Sequence, residues 1–599
     1  MNVHPIDTAI IAGYMVAMIL IGFWVTRKAS KNLDSYFLGD KSMPWYMLGI
    51  SNAASMFDVS GTMWLVYLLF VYGIKSAFIP WLWPTFNQIF LMVYLAVWLR
   101  RSNVLTGAEW IRTRFGNGVG ADLSYFSVVI FALVSVIGFT SYGYQGIGKF
   151  AAVFLPWDVS PHVYAIAIIG VTTLYTMLGG MYSVVITDVA QFLIMCVASV
   201  AVGIIAMSRT SPEAIDAVVP AGWENLWFGW KLNMDWTGIL NAANTHIQKD
   251  GWSLFTIFMM MVLFKGVLAS MAGPAPNYDL QRVLSCKSTK AAAMMSASVS
   301  FVLFIPRYLL IAGITVLAIV FFSPQLNQMG ENVDFEQILP YVIGNFIPVG
   351  LMGLLLAGLL AAFMSTFSAT INAGAAYIVN DIYKGYINKN ASNRKYIVIS
   401  CIVTVIIVLA GIAFGLMTES INQWVMWIVA GLYGGYVAPN VLKWHWWRLN
   451  GFGYFAGMMI GIIASILMTI IPVVKDIPVI YGFPFLLGLS LVASIVGSLL
   501  TPIENEETLK KFYKQVRPWG FWGPIKELVL AEDPNFVPNK NFGRDMINVA
   551  VGIVWQLTFT LAPIYLVIKN FKAMTISLII MAVTSIFMKL NWYDKLEKD

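Results

Sequence analysis

Length, composition and charge exclude a water-soluble protein. Of the 599 residues, 59% are hydrophobic and 11% are charged, and the mean hydropathy is +0.74. A soluble domain of this composition would expose large apolar patches to water. The net charge of +7 matches the topology described below, so it does not require a nucleic-acid partner. The lipid bilayer is therefore the expected environment.

Apolar runs long enough to cross a bilayer recur along the whole chain. About 20 residues of helix span roughly 30 Å of hydrocarbon. Because backbone polar groups find no partners in lipid, and barrel strands would be shorter and alternating, the runs are predicted to be helices. There are fifteen predicted spans, at about 6–25, 44–72, 76–98, 121–150, 161–178, 183–207, 251–272, 290–322, 349–383, 396–417, 420–440, 452–474, 479–501, 547–569 and 572–590.

Lys and Arg are concentrated in every second connection between these spans. With the N-terminus outside, the inner side receives Arg27, Arg100, Lys384 and Lys510 with their basic neighbours, whereas 323–348, predicted outside, holds no Lys or Arg. Basic residues favour the cytoplasmic side. The chain is therefore predicted to be a multi-pass protein of the cell inner membrane, with an external N-terminus and a cytoplasmic C-terminus.

Two of the predicted spans contain interruptions. The run 44–72 includes SNAASMFDVSG at 51–61, and the run 251–272 ends in ASMAGPAP at 269–276. Each interruption opens a group of five predicted helices. Interrupted segments in corresponding positions of two halves indicate an inverted-repeat transporter whose binding site lies at the breaks.

Two carboxylates fall within predicted spans. Asp58 lies in the first interruption, and Asp188 lies shortly after a Gly-Gly turn at 179–180. A charge inside the membrane costs at least about 2.5–3.5 kcal/mol, so each carboxylate is expected to face a cavity, an ion or a cation. The alternatives are a helix cap for Asp58 and a salt bridge at the inner face for Asp188.

The span 349–383 carries a polar face. Ala362, Ser365 and Thr366 lie three and four residues apart, so they share one side of the helix. That face offers one carbonyl and two hydroxyls to a sodium ion, and carbonyls at a helix break could complete the shell. The alternative is close helix packing by small residues, with Ser and Thr as interhelical hydrogen bonders.

Four motifs in order carry a resemblance to a known family: GGMYSVVITDVAQ (179–191), QRVLSCK (281–287), AAFMSTFSATINAGAAYIVNDIYK (361–384) and WHWWRLNG (444–451). Over about residues 6–501 the chain resembles the sodium:solute symporters, which include the sodium–glucose, proline, pantothenate, iodide and sialic acid carriers.

The resemblance implies an all-α, LeuT-like core of five plus five inverted helices, at 44–207 and 251–440. An extra helix in 1–43 would precede this core, and an external loop at 208–250 would separate its halves. About four more helices would follow in 441–599. The cytoplasmic segment 503–546, basic and amphipathic, is predicted to lie against the membrane face.

The resemblance also implies a sodium site. Its ligands would be the carbonyls of Met56, Val59 and Ala362 and the hydroxyls of Ser365 and Thr366. Asp58 matches a position that is Asp in the proline carrier and Asn in the sugar carriers, and Asp188 matches an acidic residue that contributes to a second sodium site in some members. Whether one or two sodium ions move stays open.

The solute is less readable, because residues that bind sugar in the sugar carriers are replaced here by Thr62-Met63, Ala269 and Ala272. The side chains expected to line the cavity are Ser60, Thr62, Asn87, Gln88, Lys265, Arg307 and Gln423. Lys265 and Arg307 are intramembrane cations and so are candidate functional residues; the alternatives are ion pairing or packing.

The predicted function is sodium-coupled import of a small organic solute, foremost a sugar or sugar derivative. A carboxylate or an amino acid is the alternative solute, and a solute-sensing membrane protein is the alternative class. The four His are not clustered, so no enzyme is predicted. The partners are the solute, Na+ and the bilayer; the oligomeric state is not predicted.

Overall fold

The computed structural model is all-helical in the part of the chain that it describes. The described residues are 3–29, 31–82, 86–155, 157, 159–227, 229–232, 234–250, 255–330, 333, 335, 338–417, 435–471 and 479–597. Within these ranges the one β-type pairing is an isolated bridge between Trp446 and Phe521.

The helices of the first half are α1 (Pro5–Ala29), α2 (Leu33–Leu38), α3 (Trp45–Met56), α4 (Val59–Tyr72), α5 (Asn87–Phe90), α6 (Ala96–Ser102), α7 (Gly107–Phe115), α8 (Val119–Phe154), α9 (Pro161–Arg209), α10 (Pro212–Asp216) and α11 (Asn241–Asp250). Short 3₁₀ segments lie at Gly39–Lys41 and Gly73–Leu82, and a π segment lies at Leu91–Leu95.

The helices of the second half are α12 (Phe255–Met271), α13 (Tyr278–Ser285), α14 (Thr289–Gln328), α15 (Ile338–Phe346), α16 (Leu351–Ala376), α17 (Asn393–Leu416), α18 (435–445 as described), α19 (Gly451–Ile470), α20 (Val479–Leu499), α21 (Glu506–Val516), α22 (Gly523–Glu532), α23 (Phe542–Val567) and α24 (Phe571–Asn591). A π segment follows α16 at Tyr377–Ile387, and a 3₁₀ turn lies at Tyr593–Lys595.

Among the described residues, eleven helices are long and apolar enough to cross a membrane, or twelve if the bent pair Asn87–Ser102 and Gly107–Phe115 is one span. Fifteen spans were expected. The runs 161–178 and 183–207 are the two parts of α9, joined at a turn, and α12 is described only from Phe255 to the break that follows Met271. The run 420–440 lies mostly outside the described ranges.

The first interrupted span is broken over two residues. The helix continues through Ser51–Met56, which the sequence pattern had placed within the interruption, and ends as α3; Phe57 is non-helical (φ −95°, ψ 66°). Asp58 then caps α4, because its side chain accepts a 2.9 Å hydrogen bond from the Gly61 N–H. The cap satisfies an N–H that the helix start leaves free.

The second interruption separates α12 from α13. Residues 272–277 are not helical, since Pro274 and Pro276 lack the N–H that a helix would need. Asn277 caps α13 by accepting from the Asp279 N–H at 3.0 Å. Both predicted breaks are therefore present, and each divides a span into two half-helices.

The Gly-Gly turn divides α9 as expected. Gly180 has φ +49° and ψ −141°, a conformation that residues with a side chain rarely adopt. A Cβ at this position would come within 2.5 Å of the Tyr36 carbonyl oxygen. Glycine is therefore required here for both conformation and space, and the buried Asp188 lies in the part of α9 that follows the turn.

The core is formed by α16, which packs against α1, α3, α8 and α9, and by α14, which packs against α3, α4, α9 and α23. The extra N-terminal helix α1 is tied to this core by Asp7. Its buried carboxylate accepts hydrogen bonds of 2.7 Å from the N–H groups of Gly350 and Gly353, at the start of α16. An anionic cap at a helix N-terminus is favourable.

The segment 503–546, which the sequence predicts to be cytoplasmic, packs against the rest of the protein. Trp519 stacks on His445 with ring centroids 4.6 Å apart, and the Trp522 N–H donates to the Trp444 carbonyl at 2.9 Å. Arg101 donates to the Val516 carbonyl at 2.7 Å. The WHWW motif thus serves as the docking surface for this segment, and contact of the segment with lipid stays a prediction.

Candidate sodium and solute site

The break between α3 and α4 lies directly against the polar face of α16. The Thr366 hydroxyl donates to the Ser55 carbonyl at 2.7 Å, and the hydroxyls of Ser55 and Ser365 are 3.3 Å apart. Thr366 also donates to the Ala362 carbonyl at 3.1 Å. The oxygens of α16 that the sequence predicts as sodium ligands are therefore brought to the end of α3.

Met56 and Val59 lie on either side of this break, as the last residue of α3 and the first of α4. The carbonyls in the last turn of a helix have no partner further along that helix. The broken end therefore offers backbone oxygens beside two hydroxyls, and such a shell of neutral oxygens suits a hard cation.

Two predicted residues meet at the start of α4. Arg307 of α14 approaches Asp58 with 3.6 Å between Nη2 and Oδ1, and the Tyr142 hydroxyl donates to Asp58 at 3.2 Å. The side chains of Asp58 and Arg307 are 25% and 13% exposed, so the pair is accessible. Arg307 Nε is buried without a hydrogen-bond partner in the described part of the chain. Asp58 therefore caps α4 and also faces the guanidinium of Arg307.

Other predicted solute residues are placed elsewhere. The Thr62 hydroxyl donates back to the Asp58 carbonyl at 2.7 Å. Lys265 is buried, with its ammonium 5.9 Å from the centre of the Phe483 ring on α20. Ser60 lies in the first turn of α4, but its side chain is not described; Gln423 lies outside the described residues.

Asn87 and Gln88 converge on a residue that was not predicted from the sequence. Their amide groups donate to the Asp279 carboxylate, each at 2.9 Å, and Asn52 of α3 donates to it at 2.7 Å. A signal was available, because Asp279 is the first acidic residue after the Pro274–Pro276 break. The sequence analysis had instead singled out the neighbouring motif QRVLSCK at 281–287.

Asp188 forms a buried ion pair. Arg282 of α13 approaches it at 2.9 Å, and both side chains are fully buried. Arg282 also donates to the hydroxyls of Ser51 and Ser55 on α3, at 2.9 and 2.8 Å. The salt bridge is the alternative that the sequence had left open for Asp188. Through Ser55 it is connected to Ser365, so a role near a cation stays a prediction.

Two broken helices, with buried polar groups at their breaks and a bundle of apolar helices around them, define a multi-pass membrane carrier. The chain belongs to the Sodium:solute symporter family, whose profile matches residues 36–461. Sodium is accordingly the co-transported ion of the family, and the protein is a sodium-coupled secondary symporter.

The relatives are transporters. The chain is 25% identical to a sodium/myo-inositol cotransporter of Bos taurus over 584 residues, covering 88% of this chain and 76% of the relative. It is 24% identical to the sodium/myo-inositol cotransporter of Homo sapiens, with the same coverage of both chains. It is 23% identical to a sodium/mannose cotransporter of Bos taurus, covering 83% of this chain and 87% of the relative.

A solved structure shares the fold. The substrate-bound, outward-open structure of a Na+-coupled sialic acid symporter matches with a TM-score of 0.67 at 18% identity, over 84% of this chain and 99% of the other. The predicted LeuT-like, all-α architecture is thereby confirmed.

Proposed function

We propose that the protein imports a sugar, a sugar derivative or a polyol together with sodium, by alternating access. The observation that carries this proposal is the contact between the α3–α4 break and α16, where Thr366 donates to the Ser55 carbonyl at 2.7 Å. The printed functions of the relatives support a polyhydroxylated solute.

The sodium ion would bind at that contact. Its ligands would be the carbonyls of Met56, Val59 and Ala362 and the hydroxyls of Ser365 and Thr366. The Thr366 hydroxyl donates to the carbonyls of Ser55 and Ala362, and its oxygen keeps lone pairs that can coordinate a cation. The ion would thus link the first broken helix to α16.

The solute would bind beside it, at the accessible pair of Asp58 and Arg307. A carboxylate and a guanidinium can exchange their mutual contact for hydrogen bonds to hydroxyl groups of a solute, and Tyr142 adds a third polar group. Sodium would raise solute affinity by the same factor by which the solute raises sodium affinity, because coupling between two sites is reciprocal.

A carboxylate or amino acid is a second candidate, favoured by one observation. The Arg307 side chain is 13% exposed beside Asp58, so its guanidinium can donate to an anionic group. Competition of labelled myo-inositol or mannose uptake by sugars, uronates and amino acids would separate the two candidates.

The inner halves α3 and α13 are held together by Arg282 and Asp188, which closes the route between them. We infer that this side faces the cytoplasm. The basic connections then lie inside the cell, the N-terminus lies outside, and the membrane is the cell inner membrane. Opening of this ion-paired contact would accompany inward release.

The sodium site is tested by a double variant, Ser365→Ala with Thr366→Ala, reconstituted in proteoliposomes. Loss of both hydroxyls is expected to abolish the sodium dependence of uptake, because two of the proposed ligands are removed. The measurement is uptake of labelled solute in sodium and in choline buffers.

A matched control is Ser400→Ala with Thr404→Ala on α17, whose hydroxyls donate to carbonyls of their own helix at 2.9 Å. This control should keep sodium-dependent uptake. If the Ser365 and Thr366 variant keeps full sodium dependence, the site assignment is wrong.

A further inference from the structure

An apolar groove lies where α18, α20 and the segment 503–546 meet, and we call it the Trp446 groove. Its volume is about 540 Å³, within the range of about 300–1,000 Å³ that is usual for ligand sites. The side chains of its walls are all apolar or aromatic, and they belong to Leu442, Trp446, Trp447, Ile495, Phe521 and Pro524. An apolar occupant is therefore expected.

The backbone fixes the shape of the groove. Trp446 and Phe521 form the isolated parallel bridge. The Phe521 N–H donates to the His445 carbonyl at 2.7 Å, and the Phe521 carbonyl accepts from the Trp447 N–H at 3.1 Å. The Phe521 side chain is nevertheless 77% exposed. A ring that the backbone holds in such a position presents apolar area for a partner to cover.

The groove continues the lipid-facing side of α20, one of the helices long and apolar enough to cross a membrane. Val492 and Leu499 lie three residues before and four residues after the wall residue Ile495, so the three share one helix face. Val492 and Leu499 are 58% and 57% exposed. Such a face of a membrane-spanning helix contacts acyl chains. A hydrocarbon chain can therefore enter the groove without crossing water.

The groove also lies near the end of a membrane span. α20 ends at Leu499, about one turn after Ile495. Trp446 and Trp447 follow the end of α18, and Trp side chains are enriched where a membrane meets water. The groove is therefore placed to receive the part of an acyl chain that lies next to a lipid headgroup.

Two basic residues flank the groove. Arg448 follows the wall residue Trp447 and donates to the Thr501 carbonyl, just beyond the end of α20, at 3.0 Å. Lys526 lies in the first turn of α22, two residues after Pro524. Basic side chains near the membrane surface attract anionic headgroups. The charge at the rim therefore favours an anionic lipid.

We propose that the Trp446 groove binds one acyl chain of an anionic phospholipid, whose headgroup contacts Arg448 and Lys526. The lipid would lie in the leaflet that the segment 503–546 faces, which is the cytoplasmic leaflet in the orientation proposed above. It would contact α18, α20 and the segment together, so it would stabilise the docking of the segment on the WHWW motif.

The test is native mass spectrometry of the purified full-length chain in detergent, titrated with dioleoylphosphatidylglycerol. We expect one lipid per chain to stay bound to the wild type and none to Ile495→Trp, because the larger side chain fills the groove. The lipid should also raise the midpoint of thermal unfolding of the wild type and leave that of Ile495→Trp unchanged, since a ligand stabilises the state that binds it. Equal lipid retention by the two proteins overturns the proposal.

The matched control is Phe485→Trp. Phe485 lies on α20, is 64% exposed and is not part of the groove wall. This control should retain the lipid as the wild type does. If Ile495→Trp does not fold, Phe521→Ser replaces it, with Phe485→Ser as its control. Retention of the lipid by Phe521→Ser at the wild-type level would then overturn the proposal.

The headgroup contact is tested with dioleoylphosphatidylcholine, which has the same acyl chains and no net charge. The wild type should be half-saturated at a lower concentration of the anionic lipid, and Arg448→Gln with Lys526→Gln should remove this preference. Lys511→Gln, at an exposed position on α21, should keep it. Absence of the preference in the wild type would overturn the assignment of an anionic headgroup.

A second copy of the chain is the competing occupant of an apolar groove. A dimer that persists without lipid and is lost in Ile495→Trp would identify that occupant and overturn the proposal. A monomer that carries one lipid supports it.

Discussion

Successive residues of α3 contact two buried carboxylates that are handled in different ways. The Ser51 hydroxyl donates to Asp188, which is paired with Arg282, whereas Asn52 donates to Asp279, which is surrounded by three amides. The first carboxylate is neutralised by a fixed cation of the chain. The second is hydrogen-bonded and forms no ion pair within the described part of the chain.

The two carboxylates therefore differ in what compensates their burial: Asp188 has a fixed cation, and Asp279 has hydrogen bonds. Removing one partner of a buried ion pair leaves the other charge uncompensated in a medium of low polarity. The amides around Asp279 hold no such counter-charge, so this carboxylate is stabilised by hydrogen bonds from Asn52, Asn87 and Gln88. Asp188 and Arg282 therefore link α9, α13 and α3 through a charge pair, whereas Asp279 links α13 to α3 and α5 through neutral donors.

The largest expected effect comes from removing the fixed cation. Arg282→Gln leaves Asp188 buried and unpaired, and the free energy of unfolding is expected to fall by about 3–5 kcal/mol. The measurement is thermal unfolding of the purified protein. The double variant Arg282→Gln with Asp188→Asn should recover part of the loss, because no charge is then left unpaired; equal stability of Arg282→Gln and the wild type would contradict the assignment.

A smaller effect is expected at the second carboxylate in sodium-free buffer. Asp279→Asn removes a charge that has no base as its partner and loses part of its hydrogen bonding, so the net change should be within about 1 kcal/mol. Asp188→Asn is the matched comparison and should be clearly more destabilising, because it strands Arg282. Thermal unfolding of both variants decides this, and the comparison breaks down if their losses are equal.

The smallest effect is expected at an exposed ion pair. Hydrogen bonds from Lys510 and Lys514 hold the pKa of the Glu532 carboxyl below its ordinary value. Since this pKa is lowered on folding, its stabilising contribution is present at neutral pH and is lost as the pH falls through the pKa of the folded state. Because the pair is exposed, its contribution is small.

Hydrogen exchange in α22 between neutral and acidic pH measures this effect. Glu532→Gln should remove a small pH-dependent part of the protection, whereas Glu527→Gln, at an exposed position on the same helix, should keep it. Identical pH profiles for the two variants would show that the ion pair does not stabilise the segment.

The two helix breaks show how well local sequence predicts where a helix ends. The Gly-Pro-Ala-Pro stretch predicted the end of α12 because proline cannot continue a helix. The first break was predicted too widely, since Ser51–Met56 stay helical. These small and polar residues serve contacts with Arg282, Asp279 and α16, and such contacts carry no local helix-breaking signal.

The same distinction applies to the site. Asp58, Ser365 and Thr366 could be singled out from the sequence because polar groups within apolar, membrane-spanning runs are costly. The hydrogen bonds from Asn87 and Gln88 to Asp279 could not be predicted, because they depend on how α5 packs near α13. Lys265, which was expected to line the cavity, contacts Phe483 of a helix that follows the core.

The sequence by itself determined that the chain crosses a membrane many times, that two spans are broken, and that an oxygen-rich face lies on α16. Hydropathy, proline chemistry and helical periodicity depend on residues that are close together in the chain, so they can be recognised without the tertiary structure. Only the tertiary structure decided which carboxylate received an arginine and which received amides. Partner choice for a buried charge depends on residues far apart in the chain, brought together by packing.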